Sequence, residues 1–518
     1  MRVATRSQVR SIEQHTFEEY GMPSIVLMER AGQSVADVAL DIVDEDGKKG
    51  LRPHFVVLCG EGGNGGDGFV AARDLLFAGF PVAVFVVPSK GHHNDDAEIE
   101  RAFLERVAPE NTVRELVSED DLDALDGLLD EDAVAVDALF GIGLDRTVNG
   151  TAVDVIAMVN ASPAHAVIAV DIPSGIDCDT GAALGTPIYA SDTVTFGLPK
   201  LGLYMGAGAE AAGEVHVDQL IYPDILLEQS SIHAQLTERP TFLKRMRTMH
   251  KASYGKVAIV SGSADYTGAP VFAAQAALAA GTGTVHLIIP QSIASVVRTK
   301  VDGPIVHALD GDILCVENIP HLLELLNDKT AVLLGPGLGR DERTMEAVLL
   351  IAAACKGTLV LDGDALFACA GHLDVLWKRE GTTILTPHAG EFARLVGLTA
   401  EDVAKGGALS PAQTLAAEAN AIIHLKGYRS MTVLPDGSVY INSTGNPGMA
   451  KPGMGDALGG IILSLVARGI SPELATAQGA YIHGLAGDAA AEVMGEESMS
   501  TADVIVALAA TIKELSAG

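Results

Sequence analysis

Apolar residues recur at helical spacing along the first part of the chain, from Thr5 to about Asp44. Gly21 and Pro23 interrupt this pattern, which predicts a break between two helices. Thr5 and Gln8 have the spacing of a capping box, in which each side chain bonds the backbone N–H of the other residue. We therefore expect the first helix to begin just after Thr5.

The next segment alternates between strand and helix patterns. The run His54–Cys59 predicts a strand, Phe69–Ala78 a helix and Val82–Val87 a second strand, which together form a βαβ unit. Three later runs are almost continuously apolar, as in parallel strands that helices cover on both faces. These runs are Ala133–Phe140, Ala166–Val170 and Thr193–Phe196. The first half of the chain is expected to be a three-layer, Rossmann-like α/β domain.

The pattern lapses between about Tyr222 and Arg247. Pro223, a polar patch at 229–231 and the segment 238–240 predict a connection with little core of its own. We place a domain boundary near residue 230, which divides the chain into domains of residues 1–229 and 230–518.

The second half of the chain repeats the α/β pattern. Helical spacing is found at Val271–Ala280, Gly455–Ala467 and Pro472–Met494. A turn at 435–437 joins the runs 431–434 and 439–442 in a predicted β-hairpin. Further strands are expected at Lys256–Val260, Thr284–Ile289, Ala331–Leu334, Leu359–Leu361, Thr383–Leu385 and Ala421–Leu425.

The composition narrows the class of protein. Hydrophobic residues make up 48% of the 518 positions, which argues against a disordered chain. A formal net charge of −32 would repel a nucleic-acid backbone, and aromatic residues reach only 4%, so nucleic-acid binding is not expected. Apolar runs are shorter than the roughly 18 residues of a membrane span, so no membrane partner is expected.

The spacing of the cysteines and the composition of the first residues indicate the cellular compartment of the protein. The cysteines have neither CxxC spacing nor a histidine at metal-ligand distance, and we expect reduced structural thiols. They are Cys59, Cys178, Cys315, Cys355 and Cys369. The first residues carry Arg2, Arg6 and Arg10 and lack the apolar core of a signal peptide. A cytoplasmic protein is predicted.

A glycine-rich segment between the first βαβ strand and its helix is a candidate for chemistry. It reads Gly60-Glu61-Gly62-Gly63-Asn64-Gly65-Gly66-Asp67-Gly68. Glycines let the backbone approach a phosphate, and a helix N-terminus favours negative charge. The alternative is a tight turn, which would need glycine but neither Asn64 nor Asp67.

Two other strand ends in this domain carry an aspartate. Asp137 precedes Gly141, and Asp171 lies in the run Val170-Asp171-Ile172-Pro173-Ser174-Gly175. Open α/β sheets bind ligands at the C-terminal ends of their strands, so we expect these residues at one edge. A single aspartate there is often a helix cap, but three polar strand ends followed by glycine favour a site.

Together these motifs resemble the epimerase domain of the NAD(P)H-hydrate repair family. The resemblance implies that a potassium ion binds Asn64, Asp137 and Ser174, and that Asp171 contacts the C6 region of the nicotinamide and acts in proton transfer. Lys200 is a secondary candidate, although for a lone lysine we expect a surface role. The family usually has a second asparagine at the position of Gly63. The residues implied to bind the dinucleotide are Gly63, Asn64, Gly65, Gly66, Asp67, Gly141, Ile142, Gly143, Leu144, Asp145, Arg146, Thr147 and Asp171.

A second glycine-rich segment leads into an apolar helix. It reads Asn446-Pro447-Gly448-Met449-Ala450-Lys451-Pro452-Gly453-Met454-Gly455-Asp456. Glycines free the backbone here, and N–H groups at a helix N-terminus can stabilise a phosphoryl group in transfer. Asp456 is either the N-cap or a catalytic base, and the glycine pattern with Asn446 favours the base.

This segment resembles the anion hole of ribokinase-like enzymes and, more closely, the dehydratase domain of the same repair family. Four other segments match: Lys251 to Lys256 with Ser261-Gly262-Ser263, Gly335-Pro336-Gly337-Leu338-Gly339, Thr386-Pro387-His388-Ala389-Gly390-Glu391, and Lys426-Gly427. The resemblance implies a ribokinase-like α/β fold for the second domain. The order of the two domains is that of the fused family enzyme.

The resemblance also implies the ligands of the second domain, with Mg²⁺ as its metal. His388 is alternatively a capping or buried structural histidine. The family usually has Gly-Gly-Thr-Gly-Asp where this chain has Pro452 and Met454, which supply neither the N–H nor the hydroxyl, so fewer donors are expected. The hydrated nicotinamide nucleotide would be lined by Ala273, Gly337, His388 and Asp456, and ADP held by Lys426, Gly427, Tyr428, Arg429, Ser430 and Gly455.

The resemblance predicts a bifunctional isomerase and lyase. The first domain would interconvert the R and S forms of hydrated NADH and NADPH, and the second would dehydrate the S form with ADP, releasing AMP and phosphate. A homo-oligomer is expected. One alternative is a ribokinase-like kinase for a small alcohol or vitamin precursor, with a regulatory nucleotide-binding first domain. Another is a first domain that only senses a nucleotide, against which Asp171 argues, because a pure binder needs no acid or base there.

Overall fold

The computed structural model describes residues 1–46, 53–88, 94–242, 247–403 and 407–516. The chain divides into two compact units, Arg2–Ala234 and Gln235–Gly518, with Met1 assigned to the second. Among the helices of the described ranges, none is long and apolar enough to cross a membrane. All five cysteines are free, and all but the half-buried Cys315 are buried.

The N-terminal unit is built on a parallel sheet with the strand order β4-β3-β2-β5-β6-β7-β8. The strands of the unit are β1 (Arg2–Val3), β2 (His54–Cys59), β3 (Val82–Val86), β4 (Val113–Glu115), β5 (Ala133–Ala138), β6 (Ala166–Val170), β7 (Asp192–Phe196) and β8 (Glu214–Asp218). The helices are α1 (Arg6–Glu18), α2 (Ser24–Asp46), α3 (Gly63–Phe77), α4 (Asp95–Val107), α5 (Glu119–Asp126), α6 (Thr151–Ala161), α7 (Gly206–Ala211) and α8 (Asp224–Leu227).

Helices cover both faces of this sheet, because alternate residues of each central strand point to opposite sides. Val57 of β2 packs in a core with residues of α2 and α3, whereas Leu58 packs in a second core with residues of α5 and α6. This confirms the expected three-layer α/β architecture. The register pairs Leu58 with Asp137 and Asp137 with Ala169, so the ends of β2, β5 and β6 lie side by side.

The first helix begins where the capping box predicts. The Thr5 hydroxyl accepts a hydrogen bond from the Gln8 N–H, and the Gln8 side chain accepts one from the Thr5 N–H at 2.9 Å. The predicted break at Gly21 and Pro23 is also found, between α1 and α2.

The glycine-rich segment is helical for most of its length, which differs from the loop expected before Phe69. α3 begins at Gly63, and close packing explains several of the glycines. A Cβ at Gly65 would lie 1.8 Å from the Gly60 carbonyl oxygen, and one at Gly68 2.6 Å from the Ala138 side chain. These glycines let the helix lie directly against the end of the sheet.

The segment just before residue 234, where the two units divide, contains several buried apolar residues. Leu226, Leu227 and Ile232 are buried together with Val9 and Ile12 of α1. The sequence predicts a connection with little core of its own, and the few apolar residues of this stretch indeed share a core with α1.

The C-terminal unit contains a mixed sheet in which β18-β17-β16-β15-β14-β13-β10-β11-β12 are neighbours in that order. β10 to β16 pair in parallel, and β17 and β18 form the predicted antiparallel hairpin. The strands from residue 234 onward are β9 (Ala234–Leu236), β10 (Lys256–Val260), β11 (Thr284–Pro290), β12 (Ile305–Leu309), β13 (Ala331–Leu334), β14 (Thr358–Leu361), β15 (Thr383–Leu385), β16 (Ala421–Leu425), β17 (Met431–Val433) and β18 (Val439–Ile441).

Helices α9, α18, α19 and α20 pack together on this sheet. A Cβ at Gly460 of α18 would lie 2.2 Å from the Ala273 carbonyl oxygen of α9, so these two helices cross closely. The helices of the unit are α9 (Gly268–Ala279), α10 (Ala294–Arg298), α11 (Ile319–Leu326), α12 (Glu342–Ala354), α13 (Asp364–Cys369), α14 (Asp374–Trp377), α15 (Ala389–Val396), α16 (Ala400–Asp402), α17 (Leu409–Ala419), α18 (Met454–Ala467), α19 (Pro472–Met494) and α20 (Thr501–Leu515).

Candidate active sites

Asp171 and Lys200 form a buried ion pair in the N-terminal unit. Lys200 is 1% exposed, and its Nζ donates to the Asp171 carboxylate, to Thr195 Oγ1 at 3.0 Å and to the Phe196 carbonyl oxygen at 2.9 Å. The surface position expected for Lys200 is therefore wrong. Asp171 follows β6 and Lys200 follows β7, and neighbouring parallel strands end at the same edge of a sheet.

The backbone of Asp171 is in the left-handed region, with φ +67°. This conformation costs a non-glycine residue on the order of 1–3 kcal/mol. It is held by a hydrogen bond from the Asp171 N–H to the Val194 carbonyl oxygen at 2.7 Å and by bonds from Thr195 Oγ1 and the Phe196 N–H to the carboxylate. Strain that the surroundings maintain in this way is typical of functional sites.

Two further carboxyl groups lie close enough to interact with this pair. Burial, and then the negative charges of Asp171 and Glu13, raise the pKa of Asp67 well above its usual range. Burial and the charge of Asp171 also raise the pKa of Glu13. The ion pair of Asp171 and Lys200 thus stands near two carboxyl groups, Glu13 and Asp67, whose pKa values are raised. Glu13 was not found from the sequence, because it lies on α1, remote from every motif.

The three predicted potassium ligands lie near one another. Asp137 and Ser174 are fully buried. The Ser174 hydroxyl donates to Asp137 Oδ1 at 2.6 Å and its N–H to Oδ2 at 2.8 Å, while burial raises the pKa of Asp137 to about 6. Asn64 packs beside Gly141, where a Cβ would lie 2.8 Å from Asn64 Oδ1, and its Nδ2 is buried without a hydrogen-bond partner among the described residues.

Residues 141–147 form a loop that follows β5 and begins beside Asn64. Gly143, Asp145, Arg146 and Thr147 are exposed, whereas Gly141, Ile142 and Leu144 are half-buried. The structure therefore brings the start of this loop and the first turn of α3 together, with Gly63, Asn64, Gly65, Gly66 and Asp67 on the helix.

Asp456 is the third residue of α18. The N-cap of this helix is Gly453, with φ +94°, so the interpretation of Asp456 as the N-cap is wrong. Burial and the negative charge of Asp362 raise the pKa of Asp456 to about 7, although Lys426 acts in the opposite direction. A carboxylate with this pKa can accept a proton near neutral pH.

Lys426 and Asp362 form an ion pair beside Asp456. Lys426 Nζ lies 2.7 Å from Asp362 Oδ1, and a Cβ at Gly455 would lie 3.1 Å from the same ammonium group. Burial alone would lower the pKa of Lys426, but the charges of Asp362 and Glu391 outweigh it and the pKa is raised. The ammonium group therefore lies, charged, over the first turn of α18.

His388 caps a helix, which is one of the alternatives that the sequence left open. Its Nδ1 accepts from the N–H groups of Gly390 at 3.1 Å and Glu391 at 3.3 Å at the start of α15. The imidazole is 60% exposed, so the cap leaves most of the ring accessible. Contact of His388 with the nucleotide stays a prediction.

The remaining predicted residues of the C-terminal unit differ in their exposure. Ala273 is fully buried between α9 and α18 and is not brought to the surface of the site. Gly337 has φ +62° in the loop after β13. The loop between β16 and β17 contains Gly427, Tyr428, Arg429 and Ser430, of which Tyr428 is exposed and Ser430 buried.

Two residues of the segment before α18 have structural roles. Asn446 accepts a hydrogen bond from the Gly448 N–H at 3.0 Å and donates one to Asp488 at 2.9 Å, so its side chain is engaged within the protein. Met454 is buried in the core of the C-terminal unit.

Asp362 was not found from the sequence, although a signal was present. It directly follows β14, so it occupies a strand end just as Asp137 and Asp171 do in the N-terminal unit. The strand-end rule applied there would have identified it.

Comparison with known proteins identifies both units. Residues 24–202 match the family model described as YjeF-related protein N-terminus, and residues 257–509 match the model described as NAD(P)H-hydrate dehydratase. A bifunctional NAD(P)H-hydrate repair enzyme of Thermofilum pendens is 38% identical over 518 residues, covering 99% of this chain and 97% of the relative. The chain belongs to the bifunctional NAD(P)H-hydrate repair family.

A second relative matches the chain over its full length, and a solved structure is similar to part of it. The repair enzyme of Moorella thermoacetica is 36% identical and covers 99% of this chain and 97% of its own. The ADP/ATP-dependent NAD(P)H-hydrate dehydratase of Bacillus subtilis, co-crystallised with ATP and Mg²⁺, is 26% identical with a TM-score of 0.46 and covers 53% of this chain and 95% of its own. Family membership confirms the resemblance seen in the motifs and the order of its two parts.

Proposed function

We propose that this chain repairs hydrated NADH and NADPH in two steps. The N-terminal unit interconverts the R and S forms at C6, and the C-terminal unit dehydrates the S form with ADP. The observation that carries the second step is the buried carboxyl group of Asp456 at the start of α18, beside the charged Lys426. Full-length similarity to bifunctional repair enzymes supports both steps.

In the dehydration, Asp456 takes the proton from the C6 hydroxyl group as the oxygen attacks the terminal phosphoryl group of ADP. The bond between the two phosphates breaks and AMP leaves. N–H groups of the first turn of α18 and the Lys426 ammonium stabilise the charge that develops on the phosphoryl oxygens. Phosphate then leaves C6 as a proton leaves C5, which restores the dihydronicotinamide.

Mg²⁺ would enter this site with the nucleotide. Asp362 already accepts from Lys426 and Thr386, and Glu391 accepts from the His388 N–H at 2.9 Å, so these carboxylates are engaged by protein donors. The phosphate oxygens of ADP are then the chief ligands of the ion, which when bound neutralises part of their charge. Gly337 and His388 are proposed to line the hydrated nicotinamide, and Lys426 to Ser430 with Gly455 to hold ADP.

In the epimerisation, Asp171 acts at C6 with Lys200 as its partner. C6 carries a hydroxyl group and is bonded to the ring nitrogen, so removal of the hydroxyl proton can open the bond between C6 and N1. The carboxylate of Asp171 takes that proton, and Asp67, whose raised pKa favours its protonated form, supplies one to N1. Closure of the ring on the opposite face of the aldehyde reverses both transfers and gives the other epimer. Two carboxyl groups whose surroundings differ in this way suit an acid and base pair.

Potassium is proposed to bind Asn64, Asp137 and Ser174. Within the described ranges, the hydrogen-bond partners of the fully buried Asp137 carboxylate include no cationic side chain, and the neighbouring Asn64 amide has a buried atom without a partner. One carboxylate and two neutral oxygen donors form a hard ligand set of low charge, which suits a monovalent cation such as K⁺. When bound, the ion would neutralise Asp137 and fix the loop that begins at Gly141.

The extents of the two functional parts are proposed as residues 1–229 and 230–518. The two compact units and the two family matches support this division, since residues 203–256 lie between the matches. A homo-oligomer and a cytoplasmic location stay predictions.

The test is to incubate the protein with the mixture of hydrates, Mg²⁺ and either ADP or ATP. The absorbance of the dihydronicotinamide should return, with one inorganic phosphate for each molecule restored. With Asp171 and Asp456 intact, both epimers should be consumed. A stable phosphoester without the absorbance would instead identify a small-molecule kinase and reject the proposal.

A further inference from the structure

One carboxylate oxygen of Asp362 accepts two hydrogen bonds. Oδ1 accepts from Lys426 Nζ at 2.7 Å and from Thr386 Oγ1 at 2.8 Å. The residue is 3% exposed, and its N–H donates to the Leu334 carbonyl oxygen at 3.2 Å. Side chain and backbone are thus both fixed, so Asp362 offers Lys426 an acceptor at one defined place.

That place is the N-terminus of α18. A Cβ at Gly455 would lie 3.1 Å from Lys426 Nζ and 3.7 Å from Asp362 Oδ2. The first N–H groups of a helix lack partners within the helix. The ammonium group and these donors therefore offer positive charge to the same region, and the absence of a side chain at Gly455 leaves room for it.

Stability alone is a poor reason for such a pair. Removing two charges from water costs several kcal/mol, and well-packed apolar residues are often at least as stabilising as a buried ion pair. Lys426 is 20% exposed and Asp362 4% at their side chains, so most of the pair is out of water. The Lys426–Asp362 pair is better explained by a need for a fixed positive charge at the N-terminus of α18 than by stability.

A lysine side chain does not hold such a position by itself. It has a flexible four-carbon stem, and a second carboxylate competes for the ammonium group, since Glu391 Oε2 lies 3.8 Å from Nζ. Without Asp362 the ammonium group would move toward Glu391, at the start of α15, and away from α18.

We infer that Asp362 is a positioning residue for Lys426 and holds its ammonium group where the diphosphate of ADP meets the first turn of α18. The inference rests on the proposed function, because it takes ADP as the co-substrate. Asp362 itself contacts no reacting atom, and its effect on ADP acts through Lys426, whereas its charge separately raises the pKa of Asp456.

Asp362→Asn keeps the size of the side chain and removes its charge. We expect the KM for ADP to rise and kcat to fall, with a combined loss of up to about 100-fold, because a misplacement of about 1 Å can cost that much. The KM for the S hydrate should change by less than about twofold, because Lys426 does not bind it. The matched control is Asp328→Asn, which removes a carboxylate from an exposed pair with Lys256 at 2.8 Å and should leave both KM values unchanged.

The double variant Asp362→Asn/Lys426→Met separates positioning from a structural role and removes both charges together. At pH ~9, where Asp456 is ionised whether or not residue 362 carries a charge, the double variant and Lys426→Met alone should have the same kcat/KM for ADP if Asp362 acts through Lys426. Multiplied losses in the double variant would overturn the inference, as would an unchanged KM for ADP in a folded Asp362→Asn protein. A wild-type protein that restores no dihydronicotinamide with ADP would overturn the proposed function instead, so the two failures are distinct.

Discussion

Burial of the ionised Asp456 carboxylate destabilises the fold, and the same burial suits Asp456 to act as a general base. Burial and the neighbouring Asp362 disfavour its ionised form, which is why its pKa is raised to about 7. A general base is most effective when its pKa lies near the working pH, because it is then both ionised and basic enough to take a proton. The same surroundings that make the carboxylate expensive to bury make it reactive.

This pKa predicts the pH dependence of dehydration. The kcat/KM for the S hydrate should rise about tenfold per pH unit below about 7 and level off above it, since only ionised Asp456 accepts the proton. Asp456→Asn should lower the rate by roughly 10²–10⁴-fold, the range for loss of a general base, with ADP binding retained. Initial rates over a series of buffers test both points. Near-normal dehydration by the folded variant would remove Asp456 from this role.

The same substitution should stabilise the C-terminal unit at alkaline pH. Between the ordinary value of 3.8 and about 7 the folded protein holds a proton that the unfolded chain has lost, so the free energy of unfolding falls as the pH rises through this window and stays lower above it. Asp456→Asn removes this loss and should gain about 1–3 kcal/mol at pH ~8 relative to pH ~4. Urea unfolding at the two pH values measures it, and an equal difference at both would show that the carboxyl group is not perturbed.

At the residue scale, the strand-end rule predicts more of the sites than any single motif. It places Asp137 and Asp171 at one edge, and applied consistently it would also have predicted Asp362. The burial of Lys200 does not follow from it, because Lys200 lies beyond the end of β7 at Phe196. Glu13 could not be predicted in this way, because its approach depends on how α1 packs on the unit. The roles of Asn446 and His388 in capping depend on local backbone geometry that spacing alone does not fix.

At the scale of elements, the strands that could be predicted from the sequence are those that are buried on both faces. Central strands covered on both faces have continuous apolar runs, and β2, β6, β10, β13, β15 and β16 have the bounds that were expected. The edge strands β4, β8 and β12 were not predicted, because half-exposed strands carry polar residues that interrupt the run. The start of α3 was misplaced because glycines that favour a loop in isolation are here required by packing.

The packing of α3 predicts opposite effects at two glycines of one turn. A Cβ at Gly65 would lie 1.8 Å from the Gly60 carbonyl oxygen, so Gly65→Ala should destabilise the N-terminal unit by about 1–3 kcal/mol. At Gly63 the nearest atom, Asn94 Nδ2, would be 3.6 Å away, so Gly63→Ala should be neutral or stabilise by up to about 1 kcal/mol. Urea unfolding compares the two variants. Equal stability of both would show that α3 does not lie this close to the end of the sheet.

Asn64 on α3, Asp137 on β5 and Ser174 in the loop after β6 lie close together, and we expect them to bind a potassium ion. In crystals soaked with Rb⁺ or Tl⁺, an anomalous peak should appear within coordination distance of Asn64, Asp137 and Ser174, because neutral oxygens and one carboxylate suit a large monovalent ion better than Mg²⁺. Ser174→Ala, which removes one ligand oxygen, should weaken the peak. No peak at high ion concentration in the wild-type protein would leave these residues as a hydrogen-bonded cluster without a metal.

At the scale of the whole molecule, the order of motifs was the strongest signal in the sequence. Any one glycine-rich segment has a structural alternative, but two sets of motifs in the order of a fused enzyme are hard to produce by packing requirements alone. Full-length relatives confirm that order. The division between the units could be approximated from the lapse in pattern, whereas the small core around Leu226 and Leu227 could not, because its partners lie in α1.

Each site is built from residues of its own unit, which predicts that the two activities are separable. Asp171 and Lys200 lie in the unit Arg2–Ala234, and Asp362, Lys426 and Asp456 lie in the unit Gln235–Gly518. Asp171→Ala should reduce epimerisation by roughly 10²–10⁴-fold and leave dehydration of purified S hydrate within about twofold of wild type. With the mixture of epimers, this variant should restore the S fraction rapidly and then slow to the spontaneous rate of epimerisation.

Asp456→Asn should show the reverse, with epimerisation intact and dehydration lost. Chiral separation of the remaining hydrates, followed over time, measures both activities in one sample. If a folded Asp171→Ala protein lost both activities, the sites would have to be coupled, and the assignment of one activity to each unit would fail.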